Sequence, residues 1–156
     1  MNKFHFVFLS FIFMSCSANE PLINPIKPEL EVITFEVVEK KLHVEKNLPE
    51  NVEKLLTGWF NDKVKINGFD GQLIFKILDY SQNIISITEG KKVEISLNFN
   101  LVLTKPTMSQ TKFIEGTVSS YGTLSGTFSL NDFDTIIENT QKDLILRLSR
   151  DLQSKI

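Results

Sequence analysis

The sequence predicts an α+β fold in the order β-α-β-β-β-α, a mainly antiparallel four-stranded sheet with two helices packed on one face. Three observations carry this. Residues 92–104 alternate, with Val93, Ile95, Leu97, Phe99, Leu101 and Leu103 on one face and Glu94, Ser96, Asn98 and Asn100 on the other. That is the period of an antiparallel strand with one wet face. Two stretches, one after Pro49 and one after Ser129, repeat apolar residues at helical spacing. A sheet wet on one side needs cover on the other, and two amphipathic helices supply it.

The elements follow in order. Glu31–Glu39 reads as a strand, with Ile33, Phe35 and Val37 opposed by Thr34 and Glu36. Residues 40–46 are charged and looser. Asn47-Leu48-Pro49-Glu50 opens a helix with proline near its first turn. Its apolar stripe is Val52, Leu55, Leu56, Trp59, Phe60 and Val64, and Gly68 is expected to end it. After Gly71 come three strands. The first carries Leu73, Phe75 and Ile77 and runs on to Ile87 through an irregular patch at residues 81–83. The second is the alternating strand, closed by a turn at Lys105-Pro106-Thr107. The third runs from Thr111 to about Thr123, where Gly116 and Gly122 suggest bulges or an edge. Ser129 or Asn131 caps a last helix with Asp132 and Asp134 in its first turn, where the dipole favours acids. Its apolar face is Phe133, Ile136, Ile137, Leu144, Leu148 and Leu152, with Arg147, Arg150 and Lys155 toward the C-terminal end.

The N-terminus carries the most information about destination. Lys3 is a short positive region, and Phe4–Met14 is an apolar run interrupted by His5 and Ser10. Such a run matches an export signal and is too short to span a bilayer, which takes about 20 residues. It stops at Phe13-Met14-Ser15-Cys16, which resembles the lipobox of bacterial lipoproteins. Ser15 and Cys16 fit that pattern, whereas Phe13 stands where leucine is usual and Met14 where a small residue is common. The resemblance implies cleavage before Cys16 and acylation of that cysteine. An alternative cut after Ala18, at the small-x-small stretch Cys16-Ser17-Ala18, would release the chain without lipid. Ser17 at the next position, where an aspartate would retain the protein, implies the outer membrane. Residues 17–28 hold three of the five prolines and read as a semi-stiff tether. The expected organisation is a signal peptide at 1–15, a lipidated cysteine and Pro-rich tether at 16–30, and one globular periplasmic domain at 31–156.

Composition narrows the function by exclusion. The chain has 156 residues and suits one domain. Its formal net charge is -2. No basic excess exists to neutralise phosphates, so nucleic acid is not an expected partner. One cysteine rules out an intrachain disulfide, and His43 is the only histidine besides His5 in the signal. The usual zinc sites cannot be assembled from this set, and neither metal nor cofactor is expected.

Two family resemblances apply. The order of elements behind a lipid-anchored cysteine is similar to the lipopolysaccharide-assembly lipoprotein family. In that family two helices lie on one side of a four-stranded sheet, and the proteins plug and assist an outer-membrane translocon barrel. The likeness is one of topology, and the Gly-Phe-x-Leu that often follows that family's cysteine is replaced here by the proline tether. Separately, Trp59, Lys63, Gly68, Gly71, Phe75, Ile77 and Asp79 have a spacing similar to uncharacterised lipoproteins of alphaproteobacteria. Neither resemblance assigns a role to a residue.

No catalytic set emerges. The hydroxyl-rich stretch 116–129 has no G-x-S-x-G elbow. His43 lies among Lys40, Lys41, Glu45 and Lys46 and reads as a solvated histidine. Asp70 and Asp79 flank a strand and Asp132 and Asp134 open a helix, so turns and caps explain all four. No phosphate loop, dinucleotide fingerprint or EF-hand loop appears. Trp59-Phe60 falls on the helix's apolar stripe, as core residues do. The polar face Glu94, Ser96, Asn98 and Asn100 reads as solvent-facing, with polar binding as the other reading. The expectation is a non-enzymatic accessory or structural lipoprotein, held to the membrane by its lipid and binding an envelope partner, with outer-membrane or lipopolysaccharide assembly as its setting. The alternative is a periplasmic lipid or glycan carrier, and after it a carboxylate-dependent hydrolase. The sequence leaves the oligomeric state open.

Overall fold

The computed structural model describes residues 30–45 and 48–156. The elements are β1 Ile33–Phe35, β2 Glu39–Val44, α1 Glu50–Lys63, β3 Val64–Ile66, β4 Gln72–Ile87, β5 Gly90–Lys105, a 3-10 turn at Pro106–Met108, β6 Gln110–Ser125 and α2 Leu130–Lys155. The main sheet has the order β2-β4-β5-β6. β2 runs parallel to β4, and the β4·β5 and β5·β6 ladders are antiparallel. β1 and β3 form a separate parallel pair. The fold is α+β, as the alternation and the two amphipathic stretches predict. Among the described residues no helix is long and apolar enough to cross a membrane.

One core binds the layers. The covered face of the sheet contributes Leu73, Phe75, Ile77, Val93, Ile95, Leu97, Phe99, Leu101, Ile114 and Val118, and the helices contribute Val52, Leu56, Trp59, Phe60, Leu144, Ile145, Leu148 and Leu152. Phe75 is the hub. Its ring lies 5.6 Å from Trp59 in a T-shaped contact, 6.2 Å from Phe60 and 5.5 Å from Phe99. Such geometries add to the hydrophobic gain from burying the rings. The Trp59-Phe60 pair is therefore core, as its place on the stripe suggests.

The first strand and the end of the first helix differ from expectation. Residues 31–39 do not form one strand of the main sheet. Ile33–Phe35 is strand and pairs with β3, and Glu39 already belongs to β2. The chain then bends, with Val37 N–H donating to Phe35 O at 3.0 Å and Val37 buried. The bend is held by a close crossing: a Cβ on Gly68 would lie 2.4 Å from Glu36 C and Val37 N, and Gly68 N–H donates to Val37 O at 3.0 Å. Gly68 thus serves this crossing and does not terminate α1. The supposedly loose residues 40–46 include β2, whose Lys40, Leu42 and Val44 are partly covered while Lys41 and His43 face outward. Helix α1 stops at Lys63 because Val64–Ile66 is taken by β1. Lys40 Nζ donates to Phe60 O at 2.8 Å, to Asn61 O at 3.3 Å and to Val64 O, satisfying carbonyls at the helix end.

The rest runs close to the pattern. Pro49 is the residue before α1, and its carbonyl accepts from Val52 N at 2.9 Å. Asn47 lies outside the described residues. The irregularity in β4 falls between Ile77 and Asp79, not at 81–83. β6 is an edge strand with no register shift against β5. Its glycines make room: a Cβ on Gly116 would lie 2.7 Å from the Phe99 ring, and one on Gly122 2.7 Å from Ile136. Of the two candidate caps, Ser129 opens α2, in a capping box with Asp132.

Candidate functional site

With both helices on one side, the other face of β4–β5–β6 is open. Register defines its rows. Ile74, Val102 and Phe113 lie side by side near one end, then Lys76, Asn100 and Glu115, then Asp79, Asn98 and Thr117, then Ser81, Ser96 and Ser119. Asn83, Glu94 and Tyr121 follow toward the far end. Cross-strand hydrogen bonds tie the polar rows together. Asn100 Nδ2 donates to Glu115 Oε1 at 2.8 Å, Thr117 Oγ1 to Asn98 Oδ1 at 2.8 Å, and the Ser81 and Ser96 hydroxyls lie 2.8 Å apart. Asn100 Oδ1 is buried without a hydrogen-bond partner among the described residues. The two aromatics flanking the polar rows, Phe113 and Tyr121, are 64% and 65% exposed. Lys92 Nζ sits 5.0 Å from the Tyr121 ring centroid.

A second concavity lies between the helices. It is a groove of about 640 Å³ walled by Leu55, Gly58, Trp59, Ile145 and Leu146, with Lys54, Lys63, Lys142 and Asp62 at its rim and Leu30 beside it. Lys54 pairs with Glu50 at 2.6 Å and Lys142 with Glu138 at 2.5 Å. Gly58 leaves the wall open, since a Cβ there would meet nothing within 4 Å. Trp59 Nε1 is buried without a partner among the described residues.

Cys16 lies outside the described residues. His43 is exposed on β2, level with Lys76. The four carboxylates sit in three separate places. Asp70, in the turn before β4, accepts from the Thr107 hydroxyl and backbone N–H. Asp79 lies in β4 opposite Asn98, and Asp134 is exposed in the first turn of α2. Asp132 accepts from the Ser129 backbone N–H at 2.8 Å and hydroxyl at 2.7 Å, and these bonds hold its pKa below the usual carboxylate value. The hydroxyl-rich stretch 116–129 is the second half of β6 and the helix cap. Among the described residues no group of three or more His, Cys, Asp or Glu side chains could hold a metal ion.

Two arrangements escape a reading of sequence pattern. Lys40 reaches across to α1 from the side of β2 that it shares with Leu42 and Val44. Ser120 is buried on β6 and donates to Asp143 Oδ2 at 2.7 Å, while Arg147 Nε donates to the same oxygen at 2.6 Å. Burial pushes the Asp143 pKa up, but the bonds from Ser120 and Arg147 and the charges of Arg147 and Arg150 outweigh it, and the net shift is downward. Only the i, i+4 spacing of Asp143 and Arg147 is visible in sequence.

No protein-family model matches the chain, and no curated protein matches it in sequence. Its fold is similar to that of a minor lipoprotein from Acinetobacter baumannii, with a TM-score of 0.53 at 10% identity over 76% of this chain and 94% of that one. A rare lipoprotein B from Shewanella oneidensis aligns with a TM-score of 0.46 at 8% identity over 76% and 96% of the two chains. Lipoprotein B from Nitrosomonas europaea aligns with a TM-score of 0.43 at 13% identity over 81% and 88%. All three neighbours are bacterial lipoproteins by their own names. At 10% identity the likeness to the Acinetobacter protein is one of fold alone.

Proposed function

We propose that this chain is a non-enzymatic accessory lipoprotein that binds an envelope protein through the open face of β4–β5–β6. Residues 1–15 direct export, Cys16 carries the lipid and holds the protein to the membrane facing the periplasm, residues 17–30 form the spacer, and the domain from residue 31 onward meets the partner. The observation that carries the reading is the uncovered face itself. Phe113 and Tyr121 stand about two-thirds exposed on either side of a hydrogen-bonded polar surface, and exposed aromatic anchors of this kind dominate protein interfaces. The candidate carboxylates give no support to hydrolysis, since Asp70 and Asp132 are engaged in a turn and a cap. The topological resemblance to the lipopolysaccharide-assembly lipoproteins, together with Ser17, supports an outer-membrane setting.

Photo-crosslinking in the native envelope tests the surface. A crosslinker replacing Phe113 or Tyr121 is expected to trap one protein that a crosslinker at Thr57, on α1, does not. Equal yields at all three positions would sink the proposal. Anchoring is tested separately. Cys16→Ser is expected to leave the domain folded and move it out of the membrane fraction, because burial of acyl chains contributes about 0.8 kcal/mol per CH2. An unmodified mature peptide beginning at Asn19 would instead place the cut after Ala18.

The groove supports a second reading, a carrier of a small apolar ligand. Its volume of about 640 Å³ falls in the range of ligand sites. Gly58→Leu would fill it. Equal uptake of a fluorescent fatty-acid probe by the parent and Gly58→Leu chains would remove this reading.

A further inference from the structure

Arg147 stands on α2, which packs on the covered side of the sheet, yet it lines a hollow of about 520 Å³ together with Ser96, Ser119 and Tyr121 of the open face. It can do so because α2 packs on β6, an edge strand, and a long side chain reaches round that edge. The guanidinium is held from behind. Ser120, 2% exposed, donates to Asp143 Oδ2 at 2.7 Å, and the same oxygen accepts from Arg147 Nε at 2.6 Å. A buried hydroxyl thus orients a carboxylate, and the carboxylate orients the arginine. Asp143 stays ionised in this role, since the bonds from Ser120 and Arg147 and the nearby arginine charges outweigh its burial. Nη1 and Nη2 of Arg147 are left with no partner among the described residues. An arginine fixed through Nε with both terminal nitrogens free is a pre-organised fork, and that fork matches the two oxygens of a carboxylate.

We propose that Arg147 anchors a carboxylate of the protein that binds the open face, an Asp or Glu side chain seated in this hollow beside Tyr121. The proposal rests on the protein-binding reading of that face and names the chemistry the partner must bring to it. Charge selects the occupant. Glu94, on the wall of the hollow, is neutralised by Lys92 Nζ at 2.5 Å, and Asp143 lies among Arg147 and Arg150. Three cations against two carboxylates leave one positive charge over, and a single carboxylate balances it. The walls suit a peptide. The Ser119 hydroxyl and the Asn83 amide line the hollow and have no partner among the described residues, so both are available to the main chain on either side of an acidic residue. Tyr121 is 65% exposed at the same place, and Tyr and Arg are among the residues that dominate the centres of interfaces. The aromatic ring contributes contact area, while the fork fixes the register of the partner on the sheet and disfavours partners without the acid.

The test uses the full chain in native envelopes with a photo-crosslinker replacing Phe113, which does not line the hollow. Arg147→Gln is expected to weaken trapping of the partner about tenfold. Arg150→Gln removes the same charge in the next turn and should stay near the parent. Arg147→Lys keeps the charge but loses the fork, and should fall between them; it also reads the loss if far-UV circular dichroism shows Arg147→Gln unfolded. Rising salt should weaken trapping by the parent more than by Arg147→Gln. Once the trapped peptide is sequenced, changing its acidic residue to the amide should cost the parent as much as Arg147→Gln does, and cost nothing further in the Arg147→Gln background. A parent that traps no more at Phe113 than at Thr57 would remove the protein-binding reading and the anchor with it. Equal trapping by the parent and folded Arg147→Gln, an equal loss from Arg150→Gln, or additive losses from the two amide changes would overturn the anchor alone and leave the protein-binding reading standing. An Arg147-dependent adduct with a lipid or a glycan in place of a protein would give the hollow to another class of ligand and overturn both.

Discussion

The two halves of β4 have similar side chains and opposite fates. Leu73, Phe75 and Ile77 are 0%, 1% and 1% exposed, whereas Ile84, Ile85 and Ile87 are 49%, 41% and 39% exposed. Both halves are rich in residues that favour strands, and both are paired to β5 along their full length. What differs is what lies beside them. The first half has β2 on its other edge and α1 above it, with Trp59 and Phe60 against Phe75. The second half has neither. α2 lies over β5 and β6, where Ile136 comes up to Gly122, and reaches distal β4 only as far as Gln82, whose Oε1 accepts from Gln141 Nε2 at 3.4 Å; Ile84, Ile85 and Ile87 stay exposed. Face matters as well: Ile85 and Ile87 fall on the open face, level with Lys92 and Gly90, whereas Ile84 lies opposite buried Val93. Burial follows face and cover together, and the two halves should respond differently to the same kind of change.

The largest expected effect is at the hub. Phe75→Ala removes the ring that Trp59, Phe60 and Phe99 pack against and should destabilise the domain by about 3–5 kcal/mol in urea unfolding. Ile85→Ala, in the same strand, should change stability by no more than about 0.5–1 kcal/mol. Similar losses from the two would mean that the distal half is as covered in solution as the proximal half. Next in size is Gly68→Ala. Its Cβ would lie 2.4 Å from the backbone of Glu36 and Val37, and overpacking of this kind costs about 1–3 kcal/mol. Gly126→Ala offers the contrast, because a Cβ there meets nothing within 4 Å although its φ is +74°. Its cost should come from the backbone alone and be the smaller of the two.

Lys40→Met sharpens the comparison at the buried half. It deletes the donors to Phe60, Asn61 and Val64 carbonyls at the end of α1, with an expected cost of about 1–2 kcal/mol near neutral pH. Burial lowers the pKa of Lys40, the Lys65 charge lowers it further and Asp62 opposes them. The folded state therefore binds this proton less tightly than the unfolded state does. Stability linked to this group rises with pH between the folded value and the unfolded value near 10.4. The parent should gain on Lys40→Met across that alkaline window, as read from urea midpoints. A gap that narrows instead would show that the charged amine is favoured by its carbonyl partners more than burial disfavours it.

These same residues mark how far the sequence could be read. β5 was legible because its alternation is uninterrupted, and α2 because its stripe, acidic first turn and basic last turn agree. Val64 reads as helix because its spacing from Phe60 suits one, and only its distant partner Ile33 makes it a strand. Residues 40–46 read as charged and loose because Lys40 shares the half-covered side of β2 with Leu42 and Val44 and so hides the alternation, and Lys40 is covered only by virtue of the helix end it reaches. Phe113 and Ile114 are adjacent and alike in hydropathy, yet one is open and the other buried, which is settled by their register against Val102 and Leu101. The candidate surface shares that dependence on register and neighbours. The expected export signal and Cys16 anchor lie outside the described residues and rest on local sequence alone.

A smaller effect than at Phe75 or Gly68 belongs to the cap of α2, which begins near the distal end of the sheet, where Phe128 and Phe133 stack at 6.4 Å. Ser129 Oγ accepts from Asp132 N at 3.2 Å, and Asp132 Oδ2 accepts in return from the Ser129 backbone N–H and hydroxyl. Ser129→Ala removes the side-chain half of that exchange and should cost about 1 kcal/mol. The carboxylate half can be read by pH. Asp132 has its folded pKa lowered, first by the backbone bond from Ser129 and then by its hydroxyl. A depressed carboxylate contributes stability that is present above the unfolded pKa, near 3.9, and is lost as pH falls through the folded value. The advantage of the parent over Asp132→Asn should therefore be constant from neutral pH down to about 4 and then shrink on further acidification. If the advantage persists at the lowest pH at which the domain stays folded, the cap acts through geometry that asparagine cannot reproduce and not through charge. Amide exchange in residues 130–134 then locates the loss: it should rise in both variants while Phe75 and its neighbours stay protected, because the cap holds the first turn of α2 and not the core beneath α1.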